Sequence, residues 1–176
     1  SSSLFMFGGC LNATRKLVSN DLFSSNNNGQ SWQLISASSA QHPSARMWSA
    51  MTVARDLNAI LIFGGFDGTI SAGDFWLYKI SSNKYEQITA SSSNANWPPA
   101  RSGHQVFYNE NSQRFFVIGG EGLDGEGLSD MWQYDFSTQV WTEISTQVAF
   151  PKRLGFGLFV AQKTHKVVQK KIVARN

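Results

Sequence analysis

The chain carries few residues in spacings that could do bond-breaking chemistry. Its three histidines, His42, His104 and His165, fall in corresponding regions far apart along the chain, not at metal-ligand spacing. They could converge on a metal only if the fold brought them to a common axis. No Ser–His–acid order stands out, and no phosphate-binding loop does. The segment Gly119–Gly127 is rich in glycine and acid, but its carboxylates would repel a phosphate and no Gly-Lys-Ser/Thr follows. Glu121, Asp124 and Glu126 could form a calcium loop; a plain inter-strand loop is the reading preferred here. Cys10 is the only cysteine, so no intramolecular disulfide can form and nothing indicates an oxidising compartment. Asn12-Ala13-Thr14 matches a glycosylation sequon, although a cytoplasmic setting is the expectation. These counts predict no catalytic residues, no metal and no cofactor.

The elements that must position any site are visible as a repeat. Three apolar runs end in a glycine pair: Leu4–Phe7 before Gly8 and Gly9, Ile60–Phe63 before Gly64 and Gly65, and Phe115–Ile118 before Gly119 and Gly120. The first glycines, Gly8, Gly64 and Gly119, recur at a nearly constant period. Each pair is followed by an acid with an aromatic two positions on: Asp21 with Phe23, Asp74 with Trp76, and Asp130 with Trp132. At one fixed interval after each acid comes a further aromatic: Trp32, Tyr85 and Trp141. A basic residue follows a proline at Arg46, Arg101 and Arg153, and the first two precede Gly64 and Gly119 by the same interval.

Each period therefore holds four short strands: one after the arginine, one running into the glycines, one bearing the acid and one bearing the late aromatic. Aromatic and β-branched runs broken by Gly, Asn and Ser suit strands and turns. Runs apolar on both faces suit sheets sandwiched between neighbouring sheets. The predicted fold is all-β.

The glycine pair, the Asp-x-Trp-x-Tyr segment at Asp130–Tyr134, the late Trp141 and the Pro-x-Arg-x-Gly-His segment at Pro99–His104 together resemble the kelch motif. The resemblance covers about residues 4–159, with the third copy matching best. The first copy departs at Phe23 and Ser25, and the second has Tyr85 in place of the late Trp. The resemblance implies a β-propeller built of such blades. Residues 1–161 would hold strands two to four of a first blade at 4–36, a second blade at 46–90, a third at 101–146 and the start of a fourth at 153–161.

About three blades fall short of the four to eight of a closed ring. The remainder is expected from a longer polypeptide or from another chain. The alternative, in which Gly155–Ala161 completes the first blade of a three-bladed ring, demands extreme splay. Where the same interval after Arg153 calls for another glycine pair, Lys171-Ile172 stands instead.

The resemblance also implies function by binding: a non-catalytic protein-interaction scaffold or adaptor within a larger assembly. Kelch repeats serve ubiquitin ligase adaptors, actin-associated proteins and ciliary assemblies. Propellers of this type take partner peptides at the end where the loop after Gly-Gly meets the loop before the inner strand. By position, Arg46, Arg101, Ser102 and Arg153 fall there, with Phe66, Asp67, Glu121 and Leu123. Arginine suits this work because its planar fork grips carboxylates; the competing role is a structural ion pair or cap between blades. The glycine pairs, Asp21, Asp74, Asp130, Trp32, Trp76, Tyr85, Trp132 and Trp141 are expected to be structural. The alternative function is a propeller enzyme with a central metal or sugar site, of the galactose oxidase type.

Charge divides the chain. Residues 1–151 carry a net charge of −4, and residues 152–176 carry +7. The basic end at 162–176 is read as a strand or a tail; its clustered charge would suffice for contact with nucleic-acid phosphates or an acidic surface, but no nucleic-acid recognition module accompanies it. No apolar run approaches the ~18 to 20 residues of a membrane helix, and the start of the chain lacks the basic region of a signal peptide.

Overall fold

A computed structural model describes residues 3–14, 17–89, 96–145 and 151–158. All regular structure there is β. Strands β1 (Leu4–Cys10), β2 (Val18–Ser25) and β3 (Gln33–Ile35) form one antiparallel sheet. Strands β4 (Ala50–Ala54), β5 (Ala59–Phe66), β6 (Ser71–Lys79) and β7 (Lys84–Ile88) form the second, in chain order. Strands β8 (Gln105–Asn109), β9 (Arg114–Glu121), β10 (Gly127–Asp135) and β11 (Val140–Glu143) repeat that order in the third. The molecule is all-β, with three kelch-type blades of a partial propeller. Among the described residues no helix is long and apolar enough to cross a membrane.

The blades stack through the apolar runs. In β5, Ile60 and Ile62 face the first blade, where they pack with Leu22, Phe5 and Phe7. Leu61 and Phe63 face the third blade and pack with Phe115, Val117 and Trp141. The middle run is thus sealed on both faces, with all four residues within 1% of complete burial. Phe75 and Phe115 stack across the gap with ring centroids 4.6 Å apart. Burying aromatics of this size contributes a large share of the stacking energy.

The outer blades have one covered face each. Leu4 and Met6 are exposed, and Phe116 and Ile118 are half-buried, because nothing described lies beyond them. Trp32 shows the same effect and corrects an expectation. Trp141 and Tyr85 fill the gap toward the preceding blade. Trp32 occupies the equivalent position in the first blade, just before β3, but among the described residues its gap has a single wall. It is 41% exposed and not part of a core.

Two kinds of connection alternate. At one end, four-residue turns join β4 to β5, β6 to β7, β8 to β9 and β10 to β11. Each ends in a residue with left-handed backbone: Asn58, Asn83, Gln113 and Gln139. That geometry matches the twist of tight hairpins. At the opposite end, the connections after the glycine pairs span Leu11–Leu17, Asp67–Ile70 and Gly122–Glu126. A β-bulge marks each of these exits. Gly64 shows why glycine is needed there: its φ is +59°, and a Cβ would stand 2.6 Å from the Arg101 carbonyl oxygen.

Arg153 and Gly155 continue the pattern beyond the third blade. Gly120 N donates to the Arg153 carbonyl oxygen at 3.0 Å, and Gly155 N donates to Gly103 O at 2.8 Å. Positions 159–161 of the expected fourth strand, and the basic end at 162–176, lie outside the described residues.

Candidate functional site

The arginine of each copy arrives on a short loop that ties two blades together. Arg46 N donates to Ser19 O at 2.9 Å, and its carbonyl accepts from Gly9 N at 2.8 Å, both in the first blade. Its side chain turns the other way, into the second blade. There Nη1 donates to Gly64 O at 3.1 Å and to Asp74 Oδ1, and Nη2 donates to Asp74 Oδ2 at 2.9 Å. Nε and Nη2 also donate to the carbonyl and hydroxyl oxygens of Ser44. All five N–H groups are used.

Arg101 repeats the arrangement in the third blade. It donates to Gly119 O at 3.0 Å and to both Asp130 oxygens at 2.6 Å. Trp76 and Trp132 each donate an indole N–H to the same carboxylates at 2.7 Å. Burial pushes the Asp74 and Asp130 carboxyls up, but the arginine bonds outweigh it and hold both below the usual range.

These pairs correct the expectation that Arg46 and Arg101 grip a partner. Their side chains are 2% and 0% exposed, and their charge is neutralised within the blade. The competing role, a structural ion pair or cap between blades, is the one they perform: the backbone is held by one blade and the guanidinium by the next blade's aspartate. Asp21 departs in the other direction. It is exposed, Phe23 gives it no indole, and no cation pairs with it among the described residues. The arginine that should reach it would sit on the loop leading into an inner strand, and among the described residues the first sheet holds only β1, β2 and β3.

Above the buried arginines, the variable loops meet. Isolated bridges join Met47 to Phe66 and Ser102 to Glu121, so the loop before each inner strand and the exit after each glycine pair lie at one end. Between the second and third blades they enclose a cleft of about 150 Å³, lined by Trp48, Phe66, Ile70, Ser102, Glu121 and Leu123 among others. Four expected residues therefore converge: Phe66, Ser102, Glu121 and Leu123. Asp67 is at the same end, but its Oδ1 accepts the N–H groups of Thr69 and Ile70 at 2.7 and 2.8 Å. Those backbone bonds lower its pKa, and they make it an organiser of its own loop. Arg153 stands apart, exposed, beyond the third blade.

Trp48 was missed from sequence. It is 46% exposed and stacks on Phe66, with ring centroids 5.9 Å apart and planes 21° from parallel. Its backbone φ is +55°, which is rare for a bulky residue. The other two copies show what that position requires. Two positions after their arginines stand Gly103 and Gly155, both with φ of +61°. Trp48 thus occupies a glycine's place, and left-handed backbone costs an ordinary residue about 1–2 kcal/mol. The signal was in the alignment of Arg46-Met47-Trp48 with Arg101-Ser102-Gly103.

His104 sits beneath the cleft, wholly buried. Its ring meets Phe63 edge-on at 5.5 Å. The Phe63 backbone slightly favours the charged ring, yet neither ring nitrogen makes a well-formed hydrogen bond. Burial, seconded by the Arg101 charge, lowers its pKa to about 3. Among the described residues no three His, Cys, Asp or Glu side chains converge as a metal site would require. In the loop proposed for calcium, Asp124 Oδ1 instead accepts from Glu126 N at 3.0 Å. Cys10 is exposed, and its thiol donates to Asn12 O at 2.9 Å.

Comparison with known proteins agrees with this geometry. Residues 1–168 match the KLHDC2/KLHL20/DRC7 Kelch-repeats domain. The chain is a kelch-repeat domain of this family. It is similar to human Kelch domain-containing protein 10, with 25% identity over 169 residues, covering 96% of this chain and 36% of that protein. It also resembles Tip elongation aberrant protein 3 of Schizosaccharomyces pombe, at 27% identity over 82% of this chain and 15% of that protein. Rho GTPase-activating protein gacHH of Dictyostelium discoideum matches 64% of this chain at 26% identity. The kelch chain thus spans about a third of the length of its first curated relatives. Kelch domains generally mediate protein–protein interaction.

Proposed function

We propose that this kelch domain is a non-catalytic docking module that holds a partner protein at the loop end, in the cleft between the second and third blades. The observation that carries the reading is Trp48. Strained backbone in an exposed bulky residue tends to be kept where function uses it, and tryptophans in partly desolvated clefts dominate many interfaces. Phe66 holds the indole from one side, Leu123 and Ile70 extend the apolar surface, and Glu121 supplies a charge at the rim. The buried arginines fix the loops and do not touch the partner. Membership of a larger assembly and a cytoplasmic setting belong to the same proposal; a single free, exposed cysteine suits the latter.

The test is selection of binding peptides from a displayed library against the chain, followed by titration against Trp48→Gly. Glycine restores the residue that the other copies carry, so the fold is kept. Peptides that lose at least about tenfold in affinity support the reading. Peptides that bind both proteins equally overturn the assignment of the cleft.

A further inference from the structure

Arginines at the loop end suit a partner carboxylate, but the structure turns that polarity around. The guanidiniums of Arg46 and Arg101 are bound to Asp74 and Asp130. Among the described residues no lysine or arginine lines the cleft between the second and third blades. The charged residue that does line it is an acid, Glu121.

Glu121 is held there by its backbone. Its N–H donates to Ser102 O at 2.8 Å, and its carbonyl accepts from Ser102 N at 3.0 Å. The half-buried carboxylate is left with no hydrogen bond and no cation among the described residues. Ser102, opposite it across the bridge, lines the same cleft and is 3% exposed. Its hydroxyl also has no hydrogen-bond partner among the described residues. Buried polar groups are normally satisfied, so a lone carboxylate beside a lone hydroxyl calls for a donor from outside.

The third blade supplies these polar groups, and the second supplies an aromatic wall. Trp48 stacks on Phe66 and lines the cleft with its indole partly exposed. Cations are drawn to aromatic faces, to tryptophan most strongly, and the cation is most often an arginine. Size narrows the ligand further. At about 150 Å³ the cleft is smaller than the ~300–1,000 Å³ typical of small-molecule sites, and it suits a single long side chain. Asp67 and Asp124, in the two loops that bound it, add negative potential. Lys152 Nζ lies 3.5 Å from Glu126 and offsets that acid instead.

We propose that the cleft receives an arginine side chain of the partner, its guanidinium pairing with Glu121 and stacking on Trp48. The inference rests on the docking role assigned to the cleft above and adds the chemistry of what docks. Arginine fits better than lysine because a planar guanidinium stacks and also donates in several directions, so it reaches the carboxylate and the Ser102 hydroxyl together. Its aliphatic stem would lie along Leu123. A segment that presents a carboxylate would be repelled.

The experiment selects peptides from a displayed random library against the 176-residue chain. The enriched sequence is then titrated, with its arginine and with citrulline as a neutral near-isostere, against the parent, Trp48→Gly and Glu121→Gln. Enrichment of arginine is expected. In the parent, citrulline should weaken binding about tenfold or more, the coupling of a close charge pair. In Glu121→Gln the same exchange should change affinity less than about twofold. A structural role for Glu121 would instead weaken both peptides by one factor. Should Glu121→Gln fail to fold, the salt dependence of the parent replaces it: added salt should weaken the arginine peptide and spare the citrulline peptide. Peptides that need Trp48 but lack arginine, tolerate citrulline or respond alike to salt overturn this inference and leave the docking reading standing. Peptides indifferent to Trp48→Gly, or a library that yields no binder, overturn both.

Discussion

The carbonyl oxygen of Arg101 accepts a hydrogen bond from Gly65 N at 2.9 Å, so the residue whose side chain closes the third blade is anchored by its backbone to the second. Its own N–H donates to Ala72 O, also at 2.9 Å. Removing one member of a buried, hydrogen-bonded pair strands the other charge. Arg101→Ala should therefore cost about 3–5 kcal/mol of stability in urea unfolding. Arg101→Lys should recover only part, because a lysine cannot reproduce the two-pronged grip on Asp130. A loss below about 1 kcal/mol would show that the pair is not what joins these blades.

Two glycines with nearly the same backbone separate strain from collision. Gly64 has φ of +59°, and a Cβ there would stand 2.6 Å from Arg101 O and 2.8 Å from His104 Cε1. Gly155 has φ of +61° and nothing within 4 Å. Gly155→Ala should cost only the left-handed strain, about 1–2 kcal/mol. Gly64→Ala should cost clearly more, or prevent folding, because the obstacle is backbone. Thermal melting of the two variants side by side makes the comparison.

Acid should weaken the fold before the carboxylates titrate. An unfolded histidine takes up its proton near pH 6.5, whereas buried His104 does so only near pH 3. Between those values the unfolded chain holds more protons, so stability is full above pH 6.5 and falls as pH falls toward 3. The slope can reach about 1.4 kcal/mol per pH unit for one proton. Asp74 and Asp130, lowered from 3.8, add losses of the same sign only nearer their own range. Urea midpoints from about pH 7 to about pH 4.5 should show the decline. His104→Asn should flatten it, whatever that change does to absolute stability.

Trp48→Gly should leave stability within about 1 kcal/mol of the parent. It relieves about 1–2 kcal/mol of left-handed strain and gives up a ring stack of about 0.5–1.5 kcal/mol on Phe66. Calorimetric melting checks this, and a strong destabilisation would make Trp48 a structural residue.

The repeat was legible because its landmarks are backbone requirements: glycine where φ is positive, aspartate where an arginine must be held, apolar residues on both faces of an inner run. The role of Arg46 was less legible. One residue type serves equally to hold a loop or to bind a ligand, and only burial decides between them. Asp74 lies far along the chain, in β6, and no local pattern reveals that the two meet. Trp48 was readable as an exception to the glycine position. Ile70 was not, because its place in the cleft depends on how the Asp67 turn folds the loop. Trp32 kept its position in the repeat, but no described residue covers its outer face, which spacing cannot express.

The turns at Arg55–Asn58, Ile80–Asn83, Glu110–Gln113 and Phe136–Gln139 have four residues each, while the loops at the other end, Leu11–Leu17, Asp67–Ile70 and Gly122–Glu126, have seven, four and five. One residue added to a turn would slip its hairpin and carry Leu61 or Val117 to the wrong side of its sheet. At the other end a β-bulge already breaks the register at each glycine pair, so a residue added between Asp67 and Ile70 need shift only the short pairing beyond the bulge. In the second and third blades, novelty can accumulate most freely at the end that meets other molecules, where the bulges absorb it, while the four-residue turns that set the register leave little room for rewriting.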